Sequence, residues 1–145
     1  MATNVNRVFR SELLQTQVNE SGSVATAALL PGITIAIAAN GNTTKAAAAA
    51  GAPVYVSIEN LANAGDVDAT FAVGETPRYV TPRTGDKGFL RVAAGTATIA
   101  ARAVVETDAD GKAATLAAGR GIAVALEALD NSGGAVDAWV EVEYL

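Results

Sequence analysis

A chain of 145 residues fits one ordinary domain, able to bury roughly two-thirds of the surface its unfolded form exposes. It contains no Cys and no His, which removes disulfides, thiolate zinc sites, cysteine nucleophiles, and the commonest general base and metal ligand. The net charge is −5 and aromatics are 5% of the residues, so the core has to come from Val, Ile, Leu and many Ala side chains.

Each buried methylene is worth about 0.8 kcal/mol, so an Ala-heavy core stabilises weakly per residue, and burial between subunits is expected to supply part of the difference. Charge is unevenly placed. Arg78, Arg83, Lys87, Arg91 and Arg102 face a single acid, Asp86, whereas eight acids from Val104 onward face Lys112 and Arg120. That asymmetry suits self-complementary docking or two solvated faces of opposite sign. With no dense Lys/Arg cluster in an acidic chain, nucleic acid is not an expected partner.

Met1 to Ser11 carries Arg7 and Arg10 with no apolar run behind them, so no secretory signal is expected there. No stretch approaches the roughly twenty apolar residues of a membrane helix, and a soluble product without a membrane partner is expected. Residues 1–22 read as an extended arm or one short helix. Its large apolar groups, among them Phe9, Leu13 and Leu14, form no wide stripe, so they are expected to find a surface on another element or another subunit.

Residues 23–145 read as a single β domain. Pro31-Gly32 marks a turn before Ile33, Ile35 and Ile37, which alternate with small residues as a strand requires. Asn40-Gly41 is a hairpin signal because both residues tolerate positive φ. Lys45 to Gly51 is an alanine run read as loop or short helix. Val54, Val56 and Ile58 then share one strand face, with Tyr55, Ser57 and Glu59 opposite. Val67, Ala69, Phe71 and Val73 predict another strand.

Pro77 and Pro82 bracket Arg78 to Thr81, predicting an edge strand or irregular crossing, because proline cannot donate to a ladder. FLRVAAG and TATIAARAVVET predict two strands joined at Gly95. Thr107 to Lys112 is an Asp-Gly turn. Ile122, Val124 and Leu126 are expected on one face of a strand. A helix over Ala113 to Leu129 is the competing reading, weakened by Gly119 and Gly121 at about 1 kcal/mol each. After the loop Asp130 to Gly134, Val136, Ala138, Val140, Val142 and Tyr144 alternate with Asp137, Trp139, Glu141 and Glu143. Many short strands with turn signals and no βαβ rhythm predict an all-β fold: an antiparallel barrel or sandwich with an extended N-terminal arm and at most short helices.

Candidate chemistry is sparse. Glu106-x-Asp108-x-Asp110-Gly111 resembles the opening of a calcium loop, but the first ligand is Glu and the twelfth position is Ala117, so a plain turn is the better reading. Glu141 and Glu143 stand about 7 Å apart on one strand face, a spacing that suits a solvated face as well as paired carboxylates. Gly119-Arg120-Gly121 lacks the third glycine of a dinucleotide fingerprint, and no Ser lies in a nucleophile elbow. No metal, cofactor or enzymatic activity is expected.

Thr81 to Asp86 (TPRTGD), Val104 to Lys112 (VVETDADGK) and Ala123 to Asp130 (AVALEALD), with a Gly-containing loop and a terminal strand, resemble the small capsid decoration, or cement, proteins of tailed bacteriophages. The resemblance covers residues 75 to 145. It implies a compact β domain made in the bacterial cytoplasm that binds the outside of an expanded icosahedral shell in the virion and bridges neighbouring copies of the major capsid protein. A homo-oligomer is expected, a trimer before a dimer, since several linked contacts hold more firmly than one. The expected interface residues are Arg7, Phe9, Arg10, Leu13, Leu14, Arg83 and Trp139. The alternative is a glycan- or receptor-binding β module of a phage tail or surface protein that stacks sugar on Trp139 and Tyr55.

Overall fold

The computed structural model describes residues 8, 18–19, 24–48, 54–59, 66–95 and 98–145, and none of these is helical. The strands in chain order are β1 (Val18–Asn19), β2 (Thr34–Ile37), β3 (Thr43–Lys45), β4 (Tyr55–Ser57), β5 (Tyr79–Val80), β6 (Lys87–Val92), β7 (Thr98–Ile99), β8 (Val104–Thr107), β9 (Ala113–Thr115), β10 (Ala123–Ala125), β11 (Leu129–Asp130) and β12 (Ala138–Tyr144). The first five form one sheet in the order β1-β5-β4-β2-β3; a second runs β6-β12-β10-β8-β9, and β7 pairs with β11. Every ladder is antiparallel. The expected all-β architecture is therefore present in its open, sandwich-like form, because neither large sheet closes on itself by pairing.

Period-two patterning explains where the core lies. Val56, Ile58 and Val80 of the first sheet meet Leu90, Val92, Val140 and Val142 of the second in one buried cluster, with Val105, Ala123 and Ala125 filling in behind. Fully burying a Val or Leu contributes roughly 1.5–3 kcal/mol, so this face holds the two sheets together. The opposite face of the first sheet is buried too. Ile35 and Tyr79 lie there against Leu29 and Phe71, whose backbones exchange hydrogen bonds of 3.0 and 2.8 Å.

Two pieces of the segment expected as an arm are joined to this body. Val8 lies fully buried in the main cluster and its carbonyl accepts from Phe89 N at 2.6 Å, while β1 pairs with β5. Phe9, Leu13 and Leu14 fall outside the described residues.

The Asn40-Gly41 and Asp110-Gly111 turns connect β2 to β3 and β8 to β9, with Gly41 at φ 83° and Gly111 at φ 77°. Val54, Val56 and Ile58 share the core face as their spacing requires. The alternation of β12 holds from Ala138 to Tyr144, but Val136 precedes the strand and is 74% exposed.

Several local expectations fail for physical reasons. Residues 67–73 form no strand: Asp66 Oδ1 accepts from Asp68 N at 3.0 Å and its carbonyl accepts from Ala69 N at 3.1 Å, which winds a turn. Val67 consequently packs with Phe89, Phe71 goes to the Leu29 cluster, and Val73 is 68% exposed. TATIAARAVVET is split into β7 and β8 by a tight turn closed by Ala103 N to Ala100 O, 3.0 Å. The proline-bracketed segment is not an edge, since β5 lies between β4 and β1, and the prolines shorten it to two residues. β10 turns the other way from expectation. Ala123 and Ala125 face the core opposite Tyr144 and Val142, because β12 already supplies large groups there, and Val124 lies on the outer face. The alanine run gives no described helix: Ala46 follows β3 directly, and residues 49–51 lie outside the described set.

Gly32 bridges the sheets, donating to Ser57 O and accepting from Arg91 N, both at 2.9 Å. Its φ is 79°, and a Cβ there would run into the Trp139 ring. Gly32→Ala is therefore expected to lower unfolding stability by about 3 kcal/mol, read as a fall in the urea midpoint at unchanged m.

Candidate functional site

Because Gly88, Leu90 and Val92 point inward, β6 turns Lys87, Phe89 and Arg91 to the outer face of the second sheet. The β12 register sets Trp139 opposite Arg91, Glu141 opposite Phe89 and Glu143 opposite Lys87. Arg91 is only 4% exposed. Its Nε donates to Pro31 O at 2.7 Å, and its Nη2 donates to Val67 O and to Asp68 Oδ1, both at 2.6 Å. The guanidinium carbon stands 4.3 Å from the Trp139 ring centroid, within cation–π range.

Asp137 completes the cluster. Its Oδ2 lies 4.0 Å from Arg91 Nη1, and its Oδ1 accepts from Lys112 Nζ at 2.9 Å and from Ala94 N at 3.3 Å. The charges thus alternate from Asp68 through Arg91 and Asp137 to Lys112. Asp68 is largely solvated, so that ion pair is worth little by itself; the buried donors of Arg91 to two backbone carbonyls matter more. With its carboxylates committed to cations and amides, this cluster holds the Pro31 loop, the turns at Val67 and at Lys112, and strands β6 and β12 in one arrangement.

The carboxylates of the calcium-like run separate to different partners. Asp108 Oδ1 accepts from the Asp110 and Lys112 backbone N–H groups at 2.8 Å each, Glu106 Oε2 accepts from Gly119 N at 2.6 Å, and Asp110 pairs with Lys45 at 3.0 Å. No three potential ligands converge among the described residues. The Lys45 ammonium, by hydrogen bond and by charge, holds the Asp110 carboxyl below the usual carboxylate range. Glu143 lies 3.9 Å from Lys87. Burial, with the nearby Asp86 charge adding to it, pushes the Tyr144 phenol well above its ordinary value, so it stays neutral.

Of the expected interface residues, only Arg83 and Trp139 are described, and these two lie apart. Arg7, Phe9, Arg10, Leu13 and Leu14 lie outside the described residues. Arg83 is exposed on the turn before β6, whose Gly85 N donates to Tyr144 O, while Trp139 lies five residues earlier on β12, roughly 17 Å away along the strand. Trp139 is half-buried, with Arg91 over its ring and Gly32 against its edge, which makes it a packing residue. Tyr55 is likewise engaged, edge-on to Tyr79 with ring centroids 5.6 Å apart. Arg91 is not among the residues expected at an interface; its signal in the sequence is a cation in the middle of the apolar run FLRV.

Replacing Arg91 by Met would leave the carbonyls of Pro31 and Val67 without their donor and Asp137 without one of its cations. A loss of about 3 kcal/mol is expected, together with altered fluorescence of the single tryptophan, Trp139. Arg91→Lys is expected to recover only part of it, because one ammonium cannot reach both carbonyls. Asp110 acts in the opposite pH direction from a basic group. With its folded pKa lowered, its stabilisation is present above the unfolded value of 3.8 and is lost as pH falls through the lowered one. Asp110→Asn should therefore reduce stability near pH 6 by less than about 1 kcal/mol and leave it unchanged at about pH 2, as read by urea unfolding at both.

Comparison with family models and with curated proteins finds no match for this chain.

Proposed function

We propose that this chain is a capsid decoration protein of a tailed bacteriophage, a non-enzymatic β body that binds the outer surface of an expanded icosahedral shell and bridges neighbouring copies of the major capsid protein. One observation supports the reading: the segments that resemble that family are parts of the second sheet, its connections and the adjoining β7–β11 pair. Thr81 to Asp86 is the turn into β6, Val104 to Lys112 is β8 with the turn to β9, and Ala123 to Asp130 runs from β10 into β11. The alternative of sugar stacking is disfavoured by the state of its two aromatics, since Arg91 covers Trp139 and Tyr79 meets Tyr55.

The physics of the proposed role is that of linked weak contacts. A trimer that engages several shell subunits makes its later contacts intramolecularly, which raises overall affinity by about a hundredfold or more without any new kind of contact. The test is to mix purified protein with expanded and unexpanded capsids that lack it, pellet the shells and image them. Saturable binding to expanded shells, their greater resistance to heat, and a trimer by light scattering are expected. A strictly monomeric chain that stays in the supernatant overturns the proposal.

A further inference from the structure

The described residues with left-handed backbone are Gly32, Gly41, Gly74, Gly85, Gly95, Gly111 and Arg102, the last at φ 65°. The conformation costs glycine almost nothing and costs an L side chain appreciably, so Arg102 departs from the rule this chain follows at every other such position. The turn that carries it is firmly anchored. Ala103 N donates to Ala100 O at 3.0 Å, and two bonds tie the turn to Ala125 of β10, Arg102 N to Ala125 O at 2.8 Å and Ala125 N to Ala103 O at 2.9 Å. Ala100 and Ala101, both exposed, leave the arginine without bulky neighbours in the turn.

Arg102 differs from most of the cations in a second respect. Lys45, Lys87, Arg91 and Lys112 have carboxylate partners and Arg78 bonds Glu59 O, whereas the Arg102 and Arg120 side chains bond to no other described residue. A strained residue on a well-held turn, exposed and carrying an uncompensated guanidinium, has the character of a contact residue.

We propose that the turn between β7 and β8 presents Arg102 to a carboxylate on a second copy of this chain. Carboxylates outnumber cations in this chain, 15 acids to 10 bases with the excess after Val104, so a second copy offers acceptors for it. Two copies of charge −5 repel overall, and a guanidinium–carboxylate contact reverses that locally and fixes the docking register. This inference rests on the homo-oligomer of the proposed function and assigns one of its contacts.

Sedimentation equilibrium on the full chain tests it. Arg102→Asn removes the charge while tolerating the left-handed turn, and is expected to weaken self-association about tenfold; Arg102→Gly should do the same. Both should keep or raise the urea midpoint of the dissociated chain, which separates lost contact from lost fold. Arg102→Lys should stay within about threefold of the parent, and added salt should weaken the parent more than Arg102→Asn. An assembled parent whose Arg102→Asn variant associates equally well overturns this contact alone. A parent that remains monomeric overturns both the contact and the oligomer it belongs to.

Discussion

A cation taken out of water must have its hydrogen bonds supplied by the protein, and the arrangement around Arg91 follows from that requirement. Its donors fix the carbonyls of Pro31 and Val67, its charge sets Asp137 and Asp68 beside it, and its flat face takes the Trp139 ring. These partners come from three separate stretches of chain, at Pro31, at Val67 and Asp68, and at Asp137 and Trp139. The guanidinium therefore decides where the 66–68 turn lies and how the entry to β2 meets the second sheet. A hydrophobic group of similar volume could fill the space but could not satisfy the carbonyls, which gives the site its specificity.

The same corner carries the other ties between the sheets. Thr34 N donates to Gly111 O at 2.6 Å, Gly32 is hydrogen-bonded to both sheets, and Lys45 reaches Asp110 across the gap. Gly32 and Gly111 are needed there because their φ values are positive and a Cβ would strike the Trp139 ring or the Thr34 carbonyl. Elsewhere the core is lightly built. Alanines 113, 123 and 125 occupy inward positions, and the buried hydroxyls of Thr34, Thr43 and Thr107 bond to no described group, each at some cost in desolvation. A thin core of this kind leaves room for association to add stability, which is compatible with a protein that works in multiple copies on a larger surface.

Local signals and tertiary facts divide cleanly along the chain. The Asn40-Gly41 and Asp110-Gly111 turns, the inward face of Val54, Val56 and Ile58, and the long alternation of β12 were legible because each depends on neighbours within a few residues. The broken segments were not. Asp66 winds residues 66–69 into a turn by accepting their amides, the Ala100–Ala103 turn cuts one apparent strand in two, and the face of β10 is chosen by the bulk of β12 across the ladder. Of the proposed contacts, Arg83 is at the surface, and Trp139 is occupied by a cation 48 positions earlier in the sequence, a pairing that no local pattern encodes.

By itself, then, the amino-acid sequence determined the period of the backbone, the composition of the core and the absence of thiol and imidazole chemistry, because those are properties of residue type and spacing. Only the tertiary structure decided which faces meet, that Arg91 is enclosed and Arg102 displayed, and that the two aromatics best suited to stacking a ligand are already in contact with their own chain. Both arginines sit in apolar stretches; their different fates come from what the sheets bring opposite them, a ring and carbonyls in one case and solvent in the other.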